Sequence, residues 1–282
     1  PAHFSWLAHR LSNQGWPVVL LEHPGSDAGA AQELLEGRRS VPGAEVLPDR
    51  LADLHSVINA QKDGVLEVDG ENVVLMGHSL GALTSFLASG AIPEEGLERR
   101  CDEALDALSL TNLSQLLQCQ MINVQVPIHK GVSKPQAIVA INSFGSLLWP
   151  SNGGNRIEQP VFLIGGTYDL ITPALNEQLG LLLSTRFNLF SRVLLVEGAS
   201  HFSPVRVQGQ LKNESGEDLF QLGEAFVGVR PLEVQDVLGT EIIRFLNNLE
   251  AGKSLNSLRG EYKSKLNTYL LDRNTVESLL ND

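Results

Sequence analysis

The sequence predicts an α/β domain, a mostly parallel sheet with helices on both faces. Three observations carry that prediction. Short, continuous apolar runs recur along the chain, as strands buried on both faces require. Stretches with apolar residues at three- and four-residue spacing lie between them. The two kinds of segment alternate, which is the pattern of a sheet wound with helices.

Taken in order, 4–13 places Phe4, Leu7, Ala8 and Leu11 on one helical face, and Gly15 ends that helix. Residues 17–22 (PVVLLE) read as the first buried strand. His23-Pro24-Gly25-Ser26-Asp27 is a loop by its Pro and Gly. A helix is expected over 48–61, a strand over 72–76 (NVVLM) and a helix over 79–89. From 91 to 135 the character changes. Charge is dense at 94–106, and 126–135 is polar and contains Pro. Between them Leu105, Leu108, Leu113, Leu116, Leu117 and Met121 mark one amphipathic helix inside an insertion. Strands follow at 137–142, 161–165 and 192–196, with helices over 173–183 and 234–249. The tail from 253 to 282 is polar with scattered leucines and reads as one or two peripheral helices. The organisation is thus a core of 1–90 and 136–250, a helical cap insertion of 91–135 and a helical tail of 251–282.

The 282 residues suffice for one large α/β domain with an insertion. With 43% hydrophobic and 19% charged residues, the composition is that of a soluble globular protein. The net charge of -12, with no basic cluster, argues against a nucleic-acid surface. No apolar run is long enough for a transmembrane segment. Cys101 and Cys119 lie in no metal-binding spacing. Two readings stay open for them: buried thiols, or one disulfide clipping the insertion, which would favour an exported protein. The chain opens on Pro1 rather than Met, and 1–10 lacks the pattern of an export signal. It therefore reads as processed or as a piece of a longer chain, with its compartment unknown.

Gly77-His78-Ser79-Leu80-Gly81 matches G-x-S-x-G. The pattern alone is common, but here it follows an expected strand and opens an expected helix. That context holds a serine on a tight turn, with its hydroxyl beyond the carboxyl end of the sheet. The amide of Leu80 would then face an oxyanion. A serine hydroxyl is a poor nucleophile without a base. His201, in Glu197-Gly198-Ala199-Ser200-His201-Phe202, follows the strand at 192–196 and is the candidate base. His78, beside the serine on so tight a turn, reads as packing or as a contact to substrate. Asp169, in Gly165-Gly166-Thr167-Tyr168-Asp169, follows the strand at 161–165 and is the candidate acid. The plain alternatives are a helix-capping Ser79, a turn-forming Asp169 and a solvated His201.

These segments resemble the α/β-hydrolase superfamily: VLMGHSLGA around the serine, FLIGGTYDLITP around the acid and VEGASHFSP around the base. The nearest branch is the predicted dienelactone hydrolase-like and platelet-activating-factor-acetylhydrolase-like esterases, which 14–26 also resembles. The likeness covers roughly 1–204 and 234–249. It implies a serine esterase, lipase-like, with a Ser79–Asp169–His201 triad. Dienelactone hydrolases carry Cys where this chain has Ser79, so that branch name does not give the substrate. The resemblance also implies N-terminal strands, with a His-Gly loop donating a second oxyanion amide, ahead of the first helix. Those strands are expected to be missing here. His23-Pro24-Gly25 is the alternative for that loop.

The expected reaction is hydrolysis of a small-molecule ester through an acyl-enzyme, with no metal or organic cofactor. Phe144, Phe202 and the leucine stripe are candidates to line an acyl pocket. A thioesterase, amidase or acyltransferase would use the same triad, and a non-catalytic binding protein could share the fold. Oligomeric state is not legible.

Overall fold

The computed structural model describes residues 2–25, 38, 42–66, 68, 72–106, 112–127, 134–150, 157–186, 188–205, 231–253, 258–261 and 266–281. Within them the strands are β1 (Val74–His78), β2 (Ala137–Ile141), β3 (Val161–Gly166), β4 (Arg192–Val196), β5 (Leu258–Glu261) and β6 (Asn267–Leu271). They form one sheet in the order β1-β2-β3-β4-β6-β5. The first four run parallel, so their carboxyl ends all open at one end of the sheet. β6 pairs antiparallel with both β4 and β5.

The helices are α1 (Ser5–Ser12), α2 (Leu47–Lys62), α3 (Leu80–Ala88), α4 (Leu97–Asp106), α5 (Ser114–Gln120), α6 (Gly180–Ser184), α7 (Pro231–Glu250) and α8 (Arg273–Asn281). Successive strand residues face opposite sides, so one strand feeds two cores. Ile138 and Ala140 of β2 pack with Leu51 of α2, Leu83 and Phe86 of α3 and Leu182 of α6. Ala137, Val139 and Ile141 face the other way, onto Leu7 and Leu11 of α1 and Val237, Ile242 and Phe245 of α7. The protein is therefore α/β, with a mostly parallel sheet between two helical layers.

Three expectations are corrected. Residues 17–22 are not a strand. They lie outside the sheet with no regular secondary structure, and Val18, Val19 and Leu20 are exposed at 37%, 46% and 39%. Among the described residues β1 pairs with β2 alone, so no strand stands beside 17–22 to accept its ladder bonds. The tail holds two strands as well as a helix. β6 and the residue before it alternate, with Leu266, Thr268 and Leu270 buried and Asn267 and Tyr269 exposed. That period of two is the signature of a strand packed on one face. Lastly, the single amphipathic helix expected around 105–121 is two helices, α4 and α5; Leu108 lies outside the described residues.

The disulfide reading holds: Cys101 of α4 is bonded to Cys119 of α5. A buried carboxylate then fastens α5 to the core. Glu177, in the π turn Leu175–Leu179 ahead of α6, is fully buried. Its Oε1 lies within hydrogen-bond distance of Asn112 Nδ2 (3.0 Å), Ser114 Oγ (3.1 Å), Gln118 Nε2 (3.1 Å) and Ser146 Oγ (2.8 Å). Its Oε2 accepts the amides of Gly145 (2.8 Å) and Ser146 (3.0 Å). Residues 112–118 and the loop after β2 thus share one acceptor. Glu177→Leu would leave several buried donors unpaired, at about 1–3 kcal/mol each. The variant should lose about 3 kcal/mol or more in urea unfolding, and Glu177→Gln distinctly less. Equal midpoints for wild type and Glu177→Leu would refute the role given to this carboxylate.

Candidate active site

Four adjacent strands each deliver a residue to the same end of the sheet. Ser79 follows β1, Asn142 follows β2, Asp169 lies three residues past β3, and His201 lies five past β4. Ser79 stands between β1 and α3 with φ 53° and ψ -118°. A non-glycine residue in that region is costly, by about 1–3 kcal/mol, and persists only where the surroundings enforce it. The enforcing contacts are visible. The Ser79 amide donates to the Ile141 carbonyl at 2.9 Å, extending the β1–β2 ladder to the turn. Gly77 packs so tightly on the backbone of Gly81 and Ala82 that any side chain there would collide with it. The Ser79 side chain makes no capping hydrogen bond to α3, so the helix-cap alternative for this residue fails.

Asp169 and His201, the candidate acid and base, lie in contact. His201 Nδ1 is 2.9 Å from Asp169 Oδ2, and both residues are buried. A carboxylate can only accept here, so Nδ1 carries the proton and Nε2 of the neutral ring keeps its lone pair. Asp169 also forms a turn: its Oδ1 accepts the amides of Ile171 (2.9 Å) and Thr172 (2.8 Å). Thr172 Oγ1 donates to Oδ2 at 2.6 Å. The turn-former reading of Asp169 and the acid reading are therefore both satisfied by one side chain.

His201 begins on β4 but must reach β1. The loop that carries it crosses the carboxyl ends of the intervening strands, and three consecutive carbonyls are held on the way. Ala199 O accepts the Tyr168 amide beyond β3 at 2.9 Å. Ser200 O accepts from Asn142 Nδ2 beyond β2 at 3.2 Å. His201 O accepts from His78 Nε2 at the end of β1 at 2.8 Å. Gly166 makes the crossing possible, because a side chain there would collide with Ala199.

Electrostatics follow from these contacts. Burial pushes the Asp169 carboxyl up, but the His201 and Thr172 hydrogen bonds outweigh it and leave it below its ordinary value. His78 is lowered to about 3, by burial first and then by the neighbouring His201. Its ring is neutral, with Nε2–H committed to the His201 carbonyl, and it packs between Phe4 (5.6 Å between centroids) and His201 (4.8 Å).

The structure brings Ser79, Asp169 and His201 to one end of the sheet. Leu80 opens α3, where a first-turn amide has no partner within its own helix. His78, grouped with substrate contacts on sequence grounds, is committed to the His201 loop instead. Phe144 is 1% exposed within the core, so it does not present itself to a ligand. Phe202 is 38% exposed, its ring edge-on to His201 at 5.4 Å. Sequence reasoning missed Asn142 and Thr172. The signal for Thr172 was its place three residues after Asp169, ahead of Pro173. Asn142 at the end of an apolar run could have been flagged as a residue that tolerates left-handed backbone.

The Ser114 amide donates to Ile171 O at 2.9 Å, so α5 begins against the acid loop, at the Ser79 end of the sheet. No helix of the described residues is long and apolar enough to cross a membrane. Among the described residues no cluster of His, Cys, Asp or Glu could hold a metal ion. No protein-family model matches the chain, and no curated protein matches it either.

His78 gives the fold an acid sensitivity. In the unfolded chain it takes a proton below roughly pH 6.5. In the folded protein it does so only near 3. Between those values the unfolded state binds more protons, so stability falls as pH falls. His3 and His23, also lowered by burial, act in the same direction. The lowered Asp169 adds a loss at still lower pH, as its carboxyl is protonated. His78→Gln keeps a donor for the His201 carbonyl and cannot titrate. Its melting temperature should decline less steeply than wild type between about pH 6.5 and 4. Parallel declines would show that His78 is not the source.

Proposed function

We propose that this chain is a serine hydrolase of the α/β-hydrolase type that cleaves a carboxylic ester through an acyl-enzyme. The observation that carries the reading is the backbone of Ser79. It is held at φ 53° without capping its helix, at the sheet end that also bears a buried Asp169–His201 pair. Strain of this kind collects where function needs a side chain in one place.

In the proposed reaction Ser79 Oγ attacks the ester carbonyl while His201 Nε2 takes its proton. The Leu80 amide stabilises the oxyanion. His201 then returns the proton to the departing alkoxide, and water attacks the acyl-enzyme with His201 again as base. Asp169 keeps Nδ1–H in place and stabilises the imidazolium. Leu170 and Phe202, both exposed, stand next to the acid and the base in the chain, which supports an apolar ester.

One observation favours a second reading, a binding protein on the same framework. Ser79 Oγ has no hydrogen bond to His201 among the described residues. Triads without substrate often leave this contact long, so it does not displace the first reading. A fluorophosphonate probe separates the two, since a hydrolase should be labelled on Ser79. With p-nitrophenyl esters of graded chain length, Ser79→Ala should lower turnover by about 10⁴–10⁶. Asp169→Asn should lower it by about 10⁴ while keeping the fold. If wild type is neither labelled nor active on esters, thioesters or amides, the binding reading stands. If Ser79→Ala keeps a tenth of wild-type turnover, Ser79 is not the nucleophile.

A further inference from the structure

Besides Ser79, Asn142 is the one non-glycine residue with positive φ among the described residues, at 46°. The two stand at the ends of neighbouring parallel strands, tied through the Ser79 amide and the Ile141 carbonyl. Asn142 is 1% exposed, so its polar atoms must find partners within the fold. Its amide donates to Ile164 O at 2.7 Å, which continues the β2–β3 ladder by one step. The left-handed turn then carries its side chain to the base loop, where Nδ2 donates to Ser200 O at 3.2 Å. Its own carbonyl lies 3.2 Å from Thr172 Oγ1.

Thr172 has one proton to give. The 2.6 Å contact to Asp169 Oδ2 takes it, leaving the Asn142 carbonyl and His201 Nδ1 (3.3 Å) as secondary neighbours of the same oxygen. Asn142 therefore touches both sides of the Asp169–His201 bond. On one side it holds the residue before His201; on the other it packs against the hydroxyl that pins Asp169. It meets none of the reacting atoms.

We infer that Asn142 is a positioning residue that sets the register of His201 against Asp169, and so against Ser79. The inference rests on the hydrolase reading of this site. It explains why a buried, strained polar residue ends an otherwise wholly apolar strand. An aliphatic residue there would meet an unfavourable φ and would remove the Nδ2 bond to the Ser200 carbonyl. Asparagine tolerates the left-handed region and carries the donor.

The test uses Asn142→Gly and Asn142→Asp in the full chain. Glycine accepts the backbone angle and removes the amide. Aspartate keeps tolerance for the angle but presents an acceptor to the Ser200 carbonyl. Both should melt cooperatively. A loosened base should lower kcat by tenfold to, on the order of, 10²-fold, with KM nearly unchanged and aspartate the more damaging. The low-field proton resonance of His201 Nδ1–H, identified by its loss in Asp169→Asn, should broaden or shift in both. Wild-type kcat with an unaltered resonance would overturn the inference. So would failure of both variants to fold, which would make Asn142 a structural residue only. If wild type shows no fluorophosphonate labelling, the hydrolase reading falls instead, and the resonance still reads the hold of Asn142 on His201.

Discussion

The candidate site depends on how a loop leaving β4 is carried back to β1. Neighbouring strands are about 4.8 Å apart, and an extended residue advances about 3.3–3.6 Å. A loop crossing the sheet end therefore meets a new strand every residue or two. Here it is gripped at successive carbonyls, from Ala199 by the acid loop, from Ser200 by Asn142 and from His201 by His78. Each grip comes from a different strand end, in the order the loop passes them. A histidine five residues beyond its strand is thus tied to three other strand ends. The parallel arrangement makes this possible, because only parallel strands bring all their carboxyl ends to one side.

The same geometry explains why polar side chains interrupt strand ends that are otherwise apolar. His78 and Asn142 close β1 and β2, and neither is a good choice for burial on propensity alone. His78 gives up its proton affinity to remain neutral between Phe4 and His201. Asn142 adopts a left-handed backbone. The local cost of each is offset by a hydrogen bond to a carbonyl of the His201 loop.

Much of this was legible in the sequence, and the misses have physical causes. The parallel strands were read from apolar runs, because β2, β3 and β4 are buried on both faces and tolerate little else. The triad residues were read from their places after those runs. The stretch 17–22 has the same composition yet is not a strand. An apolar run reports the capacity to pair, and pairing needs a neighbour that the described sheet does not provide. β6 was missed for the opposite reason. Lying at the antiparallel side of the sheet, it alternates buried and exposed residues over 266–270, with polar Asn267 and Thr268 among them, so it reads as a polar tail until the period is counted. Asn142 was invisible to composition because its role lies in a backbone angle and a single donor.

Burial is uneven along the sheet, and the less buried part is where Ser79 sits. β2, β3 and nearly all of β4 are buried, whereas β1 has one buried residue, Leu75, among half-buried ones. Ser79 thus follows a strand less buried than β2, β3 and β4. Its position must be fixed by directed contacts, and three converge on it. The ladder bond to Ile141 fixes the turn from β2. The Gly77 contact fixes the angle between β1 and α3. The His78–His201 bond ties the end of β1 to His201. Asp169, by contrast, follows the wholly buried β3, and the start of α5 beside its loop is fastened by Glu177 and by the Cys101–Cys119 disulfide. Hydrogen bonds fall off steeply with distance and angle, while packing falls off gradually. Asp169 depends on directed contacts as well, from the Ile171 and Thr172 amides, the Thr172 hydroxyl and His201 Nδ1. Both residues are therefore sensitive to small displacements of the strand ends, and only Asp169 has a wholly buried strand behind it.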